Sequence, residues 1–190
     1  MAKTYPVIDD RLKAFIEAQQ VFFVGTAPAA LEGHVNVSPK ALESLRVLGP
    51  TTLAYLDYVG SGVETIAHLR ENRRIVIMLC AFEGSPRIVR LHGEGFAAEP
   101  QDDAFDALLA HFAPRCVVRS IIRVELKRIS DSCGYGVPLY RYEGQRSQLE
   151  AWAEHKGDGA MLEYQREKNA HSIDGLAGLR WPAQQVGNRS

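Results

Sequence analysis

The sequence predicts a mainly β fold with peripheral helices (α+β), an antiparallel barrel that carries a helical C-terminal extension. About six runs are rich in β-branched and aromatic residues with few helical stretches between them. That order lacks the strict strand–helix alternation of a parallel doubly wound sheet. Residues 119–129 alternate cleanly: Ile122, Val124 and Leu126 interleave with Arg123, Glu125 and Lys127, as in a sheet with one packed face. The chain of 190 residues, 46% hydrophobic and 24% charged, has the length and composition to bury a single core. The expected division is a barrel domain over residues 1–130 and an extension over 131–190, packed on the same domain.

In chain order, residues 10–20 place Leu12, Phe15 and Ile16 at i, i+3 and i+4, the spacing of a short amphipathic helix. Val-Phe-Phe-Val-Gly-Thr over 21–26 reads as a strand ending at the Pro28 turn. In residues 34–38, Val35 and Val37 alternate with His34, Asn36 and Ser38 before Pro39. The proline is expected to close that strand, and its polar face is open to a ligand. Gly49-Pro50 turns the chain into a β-rich run over 51–58, and Gly60-Ser61-Gly62 separates this from a helix over 63–72. Strands over 74–82 and 87–96 form a hairpin across Glu83-Gly84-Ser85-Pro86. In the second, Ile88, Arg90, His92 and Glu94 share one face and Val89 and Leu91 the other, which implies a polar barrel face or an interface. Pro100-Gln101-Asp102 opens a helix through His111, with Phe105, Leu108 and Leu109 on one side. Residues 144–169 are charged and helical in character, broken at Gly157-Asp158-Gly159, and the tail after Gly178 is expected to be poorly ordered.

With 22 Lys+Arg against 23 Asp+Glu the net charge is -1. No global field draws the chain to nucleic acid or an anionic membrane, so any anionic ligand must be held locally. Cys80, Cys116 and Cys133 are odd in number and widely spaced. They suggest neither a disulfide framework nor a zinc clamp, and reduced thiols in a cytoplasm fit best. No secretory h-region and no apolar run long enough to span a bilayer occurs.

The most informative stretch is Gly60-Ser61-Gly62-Val63-Glu64-Thr65. Small residues before a helix leave backbone N–H groups converging on one point, where the helix dipole favours an anion. Ser61 and Thr65 add hydroxyl donors; the same pattern also suits an ordinary helix cap. Thr65 stands where a dinucleotide fingerprint needs its third glycine, and no Gly-Lys-Ser/Thr follows. Lys40, at the end of the polar strand, could reach a phosphate as a point charge or lie solvated on the surface. Glu64 and His68 are an i, i+4 pair of possible metal ligands that also suits a helix-surface hydrogen bond, no Gly-x-Ser-x-Gly elbow occurs, and Cys133 among glycines is either a reactive thiol or an inert loop residue.

Taken in order, Asn36-Val37-Ser38-Pro39-Lys40, the run Tyr55-Leu56-Asp57-Tyr58-Val59-Gly60-Ser61-Gly62-Val63-Glu64-Thr65, Glu71-Asn72 before an apolar strand, and Pro86-Arg87-Ile88-Val89-Arg90-Leu91-His92-Gly93-Glu94-Gly95 resemble the pyridoxamine 5'-phosphate oxidase-like family. The tail segments Cys133-Gly134-Tyr135-Gly136-Val137-Pro138 and Lys168-Asn169 to Gly175-Leu176 resemble those of an uncharacterised bacterial subgroup. The resemblance implies an FMN-binding split β-barrel that pairs as a homodimer, with FMN in grooves at the subunit interface. Carried over by residue, Asn36, Val37, Ser38 and Lys40 would line the flavin strand and Asp57 would lie near the ring or ribityl chain. Ser61, Gly62 and Thr65 would hold the phosphate and Glu64 would cap the loop. The family's oxidases have an Arg-Lys pair after the loop serine where this chain has Gly62-Val63, and Leu179-Arg180-Trp181-Pro182 matches their C-terminal pattern poorly. Both departures point away from vitamin B6 oxidation. The expected function is an FMN-dependent oxidoreductase acting on a small organic substrate, with no side-chain acid or base identified. A non-catalytic flavin- or haem-binding module and a deazaflavin-dependent reductase are the alternatives.

Overall fold

A computed structural model describes residues 3–41, 43–114 and 117–181. Eight strands and four helices follow one another as β1 (Lys3–Tyr5), α1 (Asp10–Ala18), β2 (Val21–Thr26), β3 (Asn36–Ala41), β4 (Leu45–Gly49), β5 (Thr52–Tyr58), α2 (Glu64–Asn72), β6 (Arg74–Cys80), β7 (Ile88–Ala98), α3 (Ala104–Leu109), β8 (Val118–Ser132) and α4 (Gln148–Lys168). The strands form one curled antiparallel sheet in the order β3-β2-β6-β7-β8-β5-β4, with β1 paired to the far end of β8. This is the split barrel with a helical extension that the sequence predicts.

The concave side holds the main core. Leu12 and Ile16 of α1, Phe22 and Val24 of β2, Leu53 and Tyr55 of β5, and Ile122 and Val124 of β8 are all buried there. Each large aliphatic side chain enclosed this way contributes about 1.5–3 kcal/mol. Asp9 accepts the Leu12 amide at 2.8 Å and so starts α1. The convex side of β5 and β8 is also covered, because Ala54, Leu56 and Ile121 pack against Phe105 and Phe112 at α3. The alternation of residues 122–127 therefore stops short of Arg119, Ser120 and Ile121, which are buried although they point to both faces.

Three expectations need correction. The strand after Thr26 does not close at Pro39 but runs through it to Ala41, with Pro39 opposite Phe23. β3 is the edge of the sheet, and an outward-facing position there needs no N–H. The sequence reading has about six strands and omits β1 and β4. The tail after Gly178 is anchored at first: Leu179 is buried and its amide donates to the Asn169 carbonyl at 2.8 Å. Arg180 pairs with Glu99 and Asp102. Residues 182–190 lie outside the described residues.

The break expected at Gly157 is present, with φ 72° and ψ 163° inside α4. β8 continues to Ser132, past the expected boundary at residue 130.

Candidate functional site

A cleft of about 360 Å³ opens between β3, the loop before α2 and the first turn of α4. Its wall is set by strand register. Asn36, Ser38 and Lys40 stand opposite Thr26, Val24 and Phe22, and opposed residues share a face. Thr26, Val24 and Phe22 are buried, so β3 turns its polar side inward and presents Val37 and Pro39 to solvent. A globular sheet normally does the reverse.

Asp57 follows Leu53 and Tyr55 on the barrel side of β5 and is fully buried. Lys40 Nζ lies 3.0 Å from its Oδ1 and Arg119 Nε 2.8 Å from its Oδ2, and the Ser120 hydroxyl donates to Oδ2 at 3.2 Å. Burial pushes the carboxyl pKa up, but the charges and hydrogen bonds of Lys40 and Arg119 outweigh it and hold Asp57 well below the ordinary carboxylate range. Lys40 and Arg119 together carry one positive charge more than Asp57 cancels, and both line the cleft.

Arg119 reaches on from this cluster to the loop, donating through Nη1 to the Gly62 carbonyl at 2.7 Å. The buried Asn169 donates through Nδ2 to the Gly60 carbonyl at 2.9 Å. The amides of Ser61, Gly62 and Val63 donate to no acceptor among the described residues. Val63 at the N-cap supplies no side-chain cap, so the opening amides of α2 are unpaired as well. The Glu64 carboxylate folds back against Gly62 on the loop. Glu64 also takes the Ile173 amide at 3.3 Å.

A second network backs the wall. The Asn36 amide donates to Thr65 Oγ1 at 3.1 Å and Thr26 Oγ1 at 3.4 Å, and its Oδ1 accepts from Ser38 at 3.3 Å. Thr26 in turn bonds His68 Nδ1 at 3.0 Å. His68 is fully buried with Nε2 unpaired. Burial lowers its pKa below the ordinary value, against the opposing charges of Asp174, Glu64 and Glu71.

Of the residues singled out in the sequence, Asn36, Ser38, Lys40, Gly62, Glu64 and Thr65 line the cleft. Asp57 lies beneath it, Ser61 is exposed on the loop, and Val37 faces outward, 66% exposed. Lys40 is tied to Asp57 and is not a free surface cation. Sequence reasoning missed Arg119 and Asn169. An aspartate in the apolar column of β5 signals a buried cation, though not which one; Asn169 stands in a tail segment that carries the resemblance, but nothing in the sequence gives it a role at the site. Cys133 is exposed and Cys80 buried, Cys116 lies outside the described residues, and none of the described part of the cleft is built from cysteine. No described helix is long and apolar enough to cross a membrane.

The donor set at one end of the cleft is main-chain amide, hydroxyl and cation, and the β3 wall is mixed in polarity. These are fitting partners for a phosphate group.

Comparison with known proteins agrees with this geometry. A solved structure of a HupZ variant from Group A Streptococcus superposes with a TM-score of 0.52 at 21% identity, covering 66% of this chain and 99% of that one. A structure described as a putative pyridoxamine 5'-phosphate oxidase from Lactobacillus delbrueckii gives 0.52 at 17% identity, covering 67% and 98%. Both likenesses concern the fold. At the sequence level, the pyridoxamine 5'-phosphate oxidase family protein ustO of Aspergillus flavus is 37% identical over 192 residues, covering 92% of this chain and 77% of its own. The sequence model described as pyridoxamine 5'-phosphate oxidase matches residues 8–133, which include β3, the loop and Arg119. With that match over more than half its length, the chain belongs to the pyridoxamine 5'-phosphate oxidase family.

Proposed function

We propose that the protein is an FMN-binding oxidoreductase acting on a small organic substrate. The observation that carries this reading is the inward polar face of β3 leading into the unpaired amides before α2, over a floor where Lys40 and Arg119 outnumber Asp57. Loop amides, Ser61 and Thr65 would hold the phosphate, and Asn36, Ser38 and Lys40 the ring and ribityl chain. When bound, the flavin supplies the hydride or electron transfer.

The protein's own part is positional and electrostatic. Asp57, locked between two cations, keeps Lys40 extended along the cleft with its remaining ammonium hydrogens available. The Asn36 amide is oriented by Ser38, Thr65 and Thr26, which fixes the hydrogen-bonding sense of the wall. The family's Arg-Lys pair is absent from the loop, and Lys40 and Arg119 reach the same end of the cleft from β3 and β8. A homodimer with the cofactor at its interface fits the outward exposure of Val35 and Val37 beside the cleft.

The test is the visible spectrum of purified protein, identification of the released chromophore, and fluorescence titration with FMN. Saturable FMN binding and bleaching of the bound flavin by a reductant are expected. A colourless protein that fails to bind added FMN overturns the reading, and a Soret band replaces it with haem binding.

A further inference from the structure

We infer that Asn169, in the C-terminal extension, is a positioning residue for the anion-binding loop; the inference rests on the reading of that loop as a phosphate site. The family match ends at residue 133, so Asn169 belongs to a part of the chain that the match does not cover. Its side chain is fully buried, and its one hydrogen bond runs from Nδ2 to the Gly60 carbonyl at 2.9 Å. Its Oδ1 has no hydrogen-bond partner among the described residues. Such an unpaired buried oxygen is costly, and the hydrogen bond its side chain makes is the hold on Gly60.

The consequence follows from peptide geometry. The bond between Gly60 and Ser61 is trans, so its C=O and N–H point in opposite directions. Gly60 lines the cleft and Asn169 does not. The Gly60 carbonyl is held by Asn169 at 2.9 Å and more loosely by Arg119 Nη1 at 3.5 Å, so the Ser61 amide points away from both donors, toward the exposed side of the loop, where an anion would meet it. The place of Asn169 is set by its backbone: its amide donates to the Gln165 carbonyl at 2.7 Å and its carbonyl accepts from Leu179 at 2.8 Å. Gly178 packs against both Asn169 and Val63 where a β-carbon would not fit. The extension thus seats the asparagine independently of its side chain.

Asn169→Ala and the volume-keeping Asn169→Leu are compared with the natural chain by titrating FMN and riboflavin, which differ by the phosphate. Inorganic phosphate is titrated in parallel against the Ser61 amide resonance. Both variants should lose about tenfold in FMN affinity while riboflavin binding stays within about twofold, and the Ser61 response to phosphate should vanish. Equal losses for the two flavins, or no loss, overturn the role. If Asn169→Ala does not fold, Asn169→Leu carries the same comparison. A natural chain that binds neither flavin but shows a phosphate response lost on substitution removes the FMN reading and keeps this one. No response to phosphate or flavin removes both.

Discussion

His68 and Asp57 are both buried near the cleft, and their opposite behaviour shows which force decides. At His68 the acidic neighbours Asp174, Glu64 and Glu71 act at a distance, so burial prevails and the pKa falls below the ordinary value. At Asp57 two cations sit within 3.0 Å of the carboxylate, and contact pairing overrides the same desolvation. Asp57→Asn leaves Lys40 and Arg119 as neighbouring like charges without a counterion. Urea unfolding at pH 7 should show a loss of about 3 kcal/mol. The pH dependence has a definite sign. Asp57 is depressed in the folded state, so its stabilisation is complete above the ordinary value of 3.8 and drains away as pH falls toward the depressed one. The difference between the natural chain and Asp57→Asn should therefore narrow below about pH 4. A constant difference from pH 7 to pH 2 would show that shape, not charge, sets the cost.

At the scale of elements, α4 is two helices joined at Gly157, whose φ of 72° and ψ of 163° lie where a side chain is strained. A β-carbon there meets nothing within 4 Å, so Gly157→Ala isolates the backbone term. It should lower stability by about 1–3 kcal/mol, seen as a lower Tm, while retaining helical circular dichroism. An unchanged Tm would mean that the two halves can fuse without cost. The break was legible because glycine flanks Asp158 in an otherwise helical composition. β4 was not, for a physical reason. Leu45 and Val47 pack on the main core while Leu48 packs on the convex cluster, so the strand is apolar on both faces and has no period of two. β1 has three residues, too few for any pattern. Pro39 misled because its meaning depends on whether the strand is at an edge, which only the assembled sheet decides.

At the scale of the whole molecule, the site was legible where it is contiguous and hidden where the fold gathers it. Residues 36–40 and 60–65 announce themselves by alternation and by glycine before a helix, but Arg119 meets Asp57 across 62 residues and Asn169 meets Gly60 across 109. The proposed pairing carries the same long-range logic beyond one chain. β3 is an edge strand whose outward side shows Val37 at 66% exposure, with Val35 at 72% just before it and Leu31 at 97% in the preceding loop. An exposed apolar edge next to a polar cleft is a liability in a lone barrel, and a second copy laid across it would bury the valines and close the cleft together. Light scattering should therefore give twice the 21.1 kDa chain mass. Val37→Lys, which changes the outer face and leaves the Asn36, Ser38 and Lys40 side intact, should shift the protein toward monomer and weaken FMN in step. A natural chain of 21.1 kDa in solution would refute pairing, and a monomeric variant with undiminished FMN affinity would place the cofactor wholly within one subunit.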